Sequence, residues 1–200
     1  MSGKFSSLAR TAVVVMLSAG SAAVSAQTLD LNISNDSALF RYIIQDRDSS
    51  GFGNKQVDLG LVYTTDDVIV GMFGAQLVAE AGSRTPGLDA GLGLKLFGAN
   101  ADPDSLDEDV SLFALTLGGQ LHFVPPPWPR IGVSLQGFFS PDVVTFGDAD
   151  KFAYLSGALE YRVLPQAMVY LGYRKMRAGL EDGDNVTLES GGHLGFQLQF

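Results

Sequence analysis

The sequence predicts an all-β protein: an antiparallel transmembrane β-barrel of about ten strands, or alternatively eight, preceded by a cleaved signal peptide. Bulky apolar residues alternate with small or polar residues along most of the chain, the pattern of strands with one apolar and one polar face. Most of these segments are about ten residues long, the length with which a tilted strand crosses a membrane. The last one alternates through Leu194 and Phe196 and ends on Phe200, with no polar tail after it.

The first 26 residues have the composition of a secretory signal peptide. Lys4 and Arg10 precede an apolar run, and small residues up to Ala26 fit the cleavage rule. We therefore predict that residues 1–26 are removed and that residues 27–200 form one exported domain. Loss of Lys4 and Arg10 changes the formal charge from −9 to −11. Such an acidic domain excludes nucleic acid as a partner, and a chain without cysteine excludes disulfide bonds.

Ten alternating segments follow one another in the predicted mature domain. The first two are short and are separated only by Asn35 and Asp36, so the strand count falls to eight if they lie outside the membrane. The connecting segments are rich in Gly, Pro, Asp and Asn, which form turns and loops. The alternating segments are 27–34, 37–44, 54–64, 68–80, 87–97, 111–123, 130–139, 151–163, 167–176 and 191–200.

The lengths of the connecting segments predict which end of the barrel faces outward. With the C-terminus on the periplasmic side, the long acidic loops 98–108, 141–150 and 179–187 lie outside. The turns 81–87 and 124–129, and the short turn after Leu164, then lie inside. Short periplasmic turns and longer external loops are typical of transmembrane barrels.

The distribution of polarity favours a membrane barrel over a soluble one. The polar faces consist mostly of Gly, Ser, Thr and Gln with isolated charges, which suits a narrow interior better than a water-exposed surface. Aromatic residues near strand ends suit the membrane interfaces. The alternative is a soluble, lipocalin-like periplasmic binding barrel, in which the apolar faces line a ligand cavity. The aromatic residues are Tyr63, Phe123, Trp128, Phe139, Tyr161, Tyr173 and Phe200.

The terminal strand is expected to pair with the first strand. A closed barrel leaves no unpaired edge in the hydrocarbon, so the strand should be held up to its last residue at the periplasmic end. Phe196, Leu198 and Phe200 also resemble the C-terminal signal that outer-membrane proteins present to the barrel-assembly machinery.

Four segments resemble the YfaZ family of predicted bacterial outer-membrane proteins. They are FFSPDVV (138–144), LEYRV (159–163), VYLGYRKM (169–176) and the terminal GFQLQF. The resemblance is clearest from Ile131 to Phe200. It implies an outer-membrane β-barrel, and it brings no established activity or catalytic residues.

The alternation also predicts a set of polar side chains inside the barrel. Both signs of charge packed into eight to ten strands favour an ion-paired, plugged interior, because wide aqueous channels need about sixteen strands. The residues of this predicted lumenal cluster are Asp58, Lys95, His122, Glu160, Arg162, Arg174 and His193.

No catalytic residue or cofactor is predicted. The alternative of a membrane-lipid hydrolase depends on His122 or His193, but neither forms the closely spaced serine and histidine pair of a barrel deacylase. Two acidic loops are weak candidates for a calcium or magnesium site, although neither matches the spacing of a calcium loop. Their candidate ligands are Asp102, Asp104, Asp107, Asp182 and Asp184.

Together these observations predict a monomeric protein of the bacterial outer membrane with a structural, interaction or narrow-transport role. It is not expected to be an enzyme. The predicted partners are outer-membrane lipids and lipopolysaccharide, together with the barrel-assembly machinery during biogenesis.

Overall fold

The computed structural model describes residues 25–46, 53–65, 68–82, 85–101, 110–147, 149–180 and 185–200. Residues 1–24 of the predicted signal peptide lie outside these ranges, so its cleavage stays a prediction. None of the helical segments in the described ranges has the length and apolarity needed to cross a membrane.

The described residues form eleven strands, of which ten are long and one, β8, has three residues. Each long strand carries the alternation that the sequence predicts. A single 3-10 turn, Asp142–Val144, precedes β8. The strands are β1 (Ser25–Ser34), β2 (Ser37–Asp46), β3 (Asn54–Thr64), β4 (Ile69–Glu80), β5 (Leu88–Ala101), β6 (Val110–Phe123), β7 (Ile131–Ser140), β8 (Thr145–Gly147), β9 (Ala149–Leu164), β10 (Ala167–Leu180) and β11 (Asn185–Gln199).

The strands close into an antiparallel barrel. Each long strand pairs with the next one along the chain, and β1 pairs with β11 to complete the circle. The backbone N–H of Phe200 donates to the carbonyl of Gln27 at 2.9 Å, and Gln27 donates back at 3.1 Å. The last residue is therefore held by the first strand, and the ten-strand prediction is confirmed.

The count of eight strands is wrong because the first two segments form a full hairpin. β1 and β2 pair from Ser25 opposite Asp46 to Ile33 opposite Ala38. Ser34 stabilises the two-residue connection, since its hydroxyl accepts bonds from the backbone N–H groups of Asp36 and Ser37.

The outer surface of the barrel is apolar, as in a transmembrane barrel. Large apolar side chains on every long strand are exposed, while polar side chains on the opposite faces of the same strands are buried. The lipocalin-like alternative requires the reverse arrangement. Among the most exposed apolar side chains are Ile33, Leu92, Leu117, Leu171 and Phe200.

Several loops are shorter than predicted. β5 continues to Ala101, β9 begins at Ala149, and β10 and β11 reach Leu180 and Asn185. The predicted loops 98–108, 141–150 and 179–187 are wrong by several residues because backbone pairing continues there although the alternation of bulky residues fades. Gly179 opposite Asn185 is one such pair.

The segment after β7 contains the one short strand. β7 ends before Pro141, which has no N–H group to donate to a neighbouring strand. After the 3-10 turn, β8 pairs with β6 through Phe146 opposite Phe113. The Thr145 hydroxyl donates to the Pro141 carbonyl at 3.1 Å and fixes this detour.

Candidate functional site

The two ends of the lumen differ. We call the end that holds Ser25 and Phe200 the terminal end, and the opposite end, where β5 ends at Ala101 and β10 ends at Leu180, the loop end. From the loop end to the terminal end, the interior contains an apolar plug, a charged layer and an open vestibule.

The apolar plug fills the loop-end half of the lumen. Phe97 and Phe152, on strands that are not neighbours, have ring centroids 4.7 Å apart and are fully buried. Tyr154 lies 5.5 Å from Phe97 by the same measure. Side chains from strands that are not neighbours therefore meet inside the barrel. The larger members of the plug are Val62, Val70, Met72, Phe97, Phe138, Phe152, Tyr154 and Met176.

The charged layer begins with an ion pair directly below the plug. Lys95 Nζ lies 2.9 Å from Asp58 Oδ2, and neither side chain has any exposed surface. The Lys95 ammonium also lies 4.9 Å from the ring centroid of Phe138, a member of the plug. Gln76 Nε2 donates a hydrogen bond to the other carboxylate oxygen, Asp58 Oδ1, at 3.4 Å. Because the site is buried, removal of either charged side chain would leave the other as an unpaired buried charge.

A second ion pair lies on the neighbouring wall. Arg41 donates from Nη2 and Nε to Asp30 Oδ2 at 2.6 and 3.1 Å. The Tyr170 hydroxyl donates to the other carboxylate oxygen of Asp30 and accepts a bond from Asn32 Nδ2 at 2.8 Å. The Asp30 carboxylate, with no exposed surface, is thus bonded on both oxygens.

A third pair extends the polar groups toward the loop end. Arg174 donates from Nε and Nη2 to the two oxygens of Glu189 at 2.6 and 2.9 Å, and from Nη1 to Asn32 Oδ1 at 3.1 Å. The Ser37 hydroxyl donates to Glu189 at 2.8 Å and lies 3.0 Å from that of Ser34. Since Ser34 and Ser37 flank the β1–β2 turn, a polar strip runs beside the plug along β1, β2, β10 and β11.

A row of three glutamines, which we call the amide belt, crosses the lumen below the charged layer. Gln136 Nε2 donates to Gln120 Oε1 at 3.1 Å, and Gln120 Nε2 donates to Gln56 Oε1 at 3.1 Å. Arg41 Nη1 starts the row by donating to Gln136 Oε1 at 3.3 Å. Arg41 and Gln136 lie on β2 and β7, which are on opposite sides of the barrel. The belt therefore separates the charged layer from the space on its terminal side.

That space, the vestibule, is a polar cavity of about 640 Å³ in the terminal half of the barrel. Strands from all sides of the barrel contribute to its wall, and the turn between β9 and β10 lies at its rim. Its lining includes the amide belt together with Gln45, Gln197 and Gln199.

One histidine lies on the vestibule wall between two carboxylates. His122 Nε2 lies 2.9 Å from Glu160 Oε2, and its Nδ1 lies 3.8 Å from Asp89 Oδ2. Ser134 faces His122 across the β6–β7 pair, but its side chain bonds to Glu160. In the described ranges, no serine hydroxyl bonds to a histidine ring, so the arrangement supplies no activated nucleophile for the hydrolase alternative.

The other histidine packs against the second ion pair. His193 Nδ1 is buried and has no hydrogen-bond partner among the described residues, and its ring meets that of Tyr170 edge-on at 5.8 Å. A polar cavity of about 30 Å³ beside these rings, also lined by Arg174, is large enough for a water molecule.

Gly195 makes room for the Tyr170 ring, because the two residues are opposite each other on β11 and β10. A Cβ at position 195 would overlap the ring and its hydroxyl. We expect Gly195→Ala to destabilise the barrel by about 1–3 kcal/mol through this overpacking, as measured by urea unfolding in lipid vesicles. Gly191→Ala is the matched control, since a Cβ there meets only Ser34 Oγ at 3.9 Å. Equal stability of the two variants would contradict the role of Gly195.

The structure distributes the predicted lumenal cluster over separate groups. Asp58 and Lys95 form one pair, and Arg174 belongs to another with Glu189. Glu160 faces Tyr170 across the β9–β10 hairpin. The remaining predicted residues lie on the vestibule wall, at its rim and beside Tyr170; they are His122, Arg162 and His193.

Sequence reasoning did not select several residues that complete these groups. Asp30 and Arg41 alternate with apolar neighbours, so the same alternation identifies them as lumenal. Glu189, Gln56 and Gln136 have weaker signals, because alternation alone does not show what an inward-facing side chain contacts. Phe196, Leu198 and Phe200 lie on the exposed outer face at the terminal end.

The metal candidates fall outside the structural description. Asp102, Asp104, Asp107, Asp182 and Asp184 all lie in ranges that the structure does not describe. Within the described ranges, no three His, Asp or Glu side chains are grouped closely enough to hold a metal ion.

Comparisons with known proteins give a family and several distant structures. A family model described as "YfaZ precursor" matches residues 7–200. The KdgM porin is similar to 88% of this chain and 99% of its own at 12% identity and a TM-score of 0.44. The outer membrane channel DcaP of Acinetobacter baumannii is similar over 86% of this chain and 62% of its own, at 10% identity and a TM-score of 0.44. A search of curated proteins found no match. Structural similarities at such low sequence identity and TM-score carry no argument about function.

Proposed function

The chain belongs to the YfaZ family, and on that premise we propose that it is a non-enzymatic outer-membrane β-barrel that binds a solute from the periplasm and forms no open pore. The apolar plug is the observation that carries this proposal. Phe97, Phe152 and Met176 have no exposed surface at the loop end, whereas the terminal end contains a cavity of about 640 Å³. A lumen blocked on one side suits binding better than passage.

The proposed orientation places the terminal end in the periplasm. The acidic connections 102–109 and 181–184 then face outward, where divalent cations and lipopolysaccharide are found. Phe196, Leu198 and Phe200 end the chain on the periplasmic side, where the barrel-assembly machinery would read them. Residues 1–26 act as the export signal in this proposal, and the protein is a monomer surrounded by outer-membrane lipids.

Two measurements on the outer-membrane protein test this proposal. We expect the unboiled protein to migrate faster in a detergent gel than the boiled one, because closed barrels resist detergent until heated. Planar bilayers that contain the heat-shifted protein should show no conductance steps. A soluble periplasmic protein without a heat shift would contradict the membrane location, and discrete conductance steps would contradict the blocked lumen.

Narrow transport is a second candidate, favoured by the polar strip. Arg174, Glu189 and Ser37 carry hydrogen-bonding groups past the plug to the β1–β2 turn. The same recordings decide between the two, since a path along the strip predicts small conductance steps in the unmodified protein.

A further inference from the structure

The vestibule has the size of a small-molecule site, and amides dominate its polar lining. Ligand pockets in proteins are typically about 300–1,000 Å³, and this one is about 640 Å³. Eight of its 24 lining residues are Gln or Asn, contributed by β2, β3, β6, β7, β11 and the β9–β10 turn. Amides therefore surround the space on several sides.

The charges around the vestibule are largely paired with one another. The Arg41 guanidinium binds Asp30, and the His122 ring lies between Glu160 and Asp89. Arg162 and Glu80 are exposed lining residues of opposite charge, so the cations of the lining do not form a cluster. Anionic ligands are usually held by charge-assisted bonds from clustered cations. This lining therefore favours an uncharged ligand over a phosphate or a carboxylate.

The described lining also lacks an aromatic platform. It contains no Phe, Tyr or Trp, the side chains on which nucleobases stack. What the wall offers a ligand is therefore mainly hydrogen bonding by neutral groups.

The amide belt can both donate and accept bonds at adjacent positions. A side-chain amide has two N–H donors and an oxygen with two lone pairs. The Gln120 amide donates one N–H to Gln56 and accepts a hydrogen bond from Gln136 with one lone pair of its oxygen. One donor and one lone pair remain, which is the complement of a hydroxyl group. Because the bonds within the belt already fix the amide orientations, little ordering is needed on binding.

We propose that the vestibule binds a small uncharged saccharide, whose hydroxyl groups bond to the amide belt and to the amides of the wall. The direction of entry rests on the proposed function, which places the opening in the periplasm. The chemistry of the site does not depend on that orientation.

Calorimetric titration of the detergent-solubilised, heat-shifted protein tests the site. The probes are a neutral glucose disaccharide, a disaccharide of glucuronic acid and triglycine. We expect the neutral disaccharide to bind preferentially. Gln120→Leu combined with Gln136→Leu should weaken its binding about tenfold or more, because several hydrogen bonds are lost.

Two further variants separate the site from folding effects. Gln27→Leu is the control, because the Gln27 side chain bonds to Tyr42 and does not line the vestibule. If the double variant gives no heat-shifted protein, Gln197→Leu tests the same site from the wall, where the belt bonds are unaffected. Weaker binding in either vestibule variant, with Gln27→Leu unchanged, supports the proposal.

Three results would overturn it: no binding of the neutral disaccharide, stronger binding of the acidic disaccharide or of triglycine, or equal affinity in all variants. These results are distinct from failure of the proposed function. A protein in the wrong compartment shows no heat shift, and an open lumen shows conductance, whatever the saccharide does.

Discussion

Lys95→Met is expected to destabilise the folded barrel by roughly 3–5 kcal/mol, the cost of leaving a buried charge without its partner. The Asp58 carboxylate has no exposed surface, and Lys95 Nζ at 2.9 Å is its ion-pair partner. Gln76 contributes only a 3.4 Å bond to it.

Urea unfolding of protein folded into lipid vesicles measures this effect. Lys151→Met is the matched control, because it removes the same charge from an exposed position on β9; a change below about 0.5 kcal/mol is expected for it. Adding Asp58→Asn to Lys95→Met should restore most of the lost stability, because the double variant has no unpaired charge. A Lys95→Met protein as stable as the Lys151→Met protein would show that the pair is solvated.

The strands of the barrel could be predicted because their signal is local. In β1, Leu29, Leu31 and Ile33 alternate with Asp30 and Asn32, and the membrane requires the first set to face outward. Even the pair of Asp30 with Arg41 follows from local features. The two-residue turn fixes the hairpin register, and this register places those two residues opposite each other.

The contents of the lumen could not be predicted in the same way. Val70 and Met72 lie on the same face of β4 as Gly74 and Gln76, so the alternation shows that they point inward but not what they contact. Contacts across a barrel depend on the tilt and stagger of all the strands together. The plug and the amide belt each include contacts between strands that are not neighbours, such as Phe97 with Phe152 and Gln120 with Gln56. Only the closed barrel brings these side chains together.

Truncating the plug is expected to convert the blocked barrel into a conducting one. The variant combines Phe97→Ala with Phe152→Ala, which removes two buried rings that contact each other inside the lumen. A hydrophobic constriction blocks ions by excluding water, and the layers beneath the plug are polar down to the vestibule. We expect water to enter the space left by the two rings and to connect the loop end with the polar layers beneath the plug. Each substitution also costs about 3–5 kcal/mol of stability.

Planar bilayers containing only heat-shifted protein provide the measurement. We expect discrete conductance steps that the unmodified barrel lacks. Because the double variant loses stability, Phe97→Ala alone is a milder second test and should give smaller steps. The control combines Phe113→Ala with Phe139→Ala, which removes two rings of the exposed outer face and should leave the bilayer silent. A folded, silent plug variant would contradict this prediction, because the remaining plug side chains, the ion pairs and the amide belt would then be enough to block the lumen.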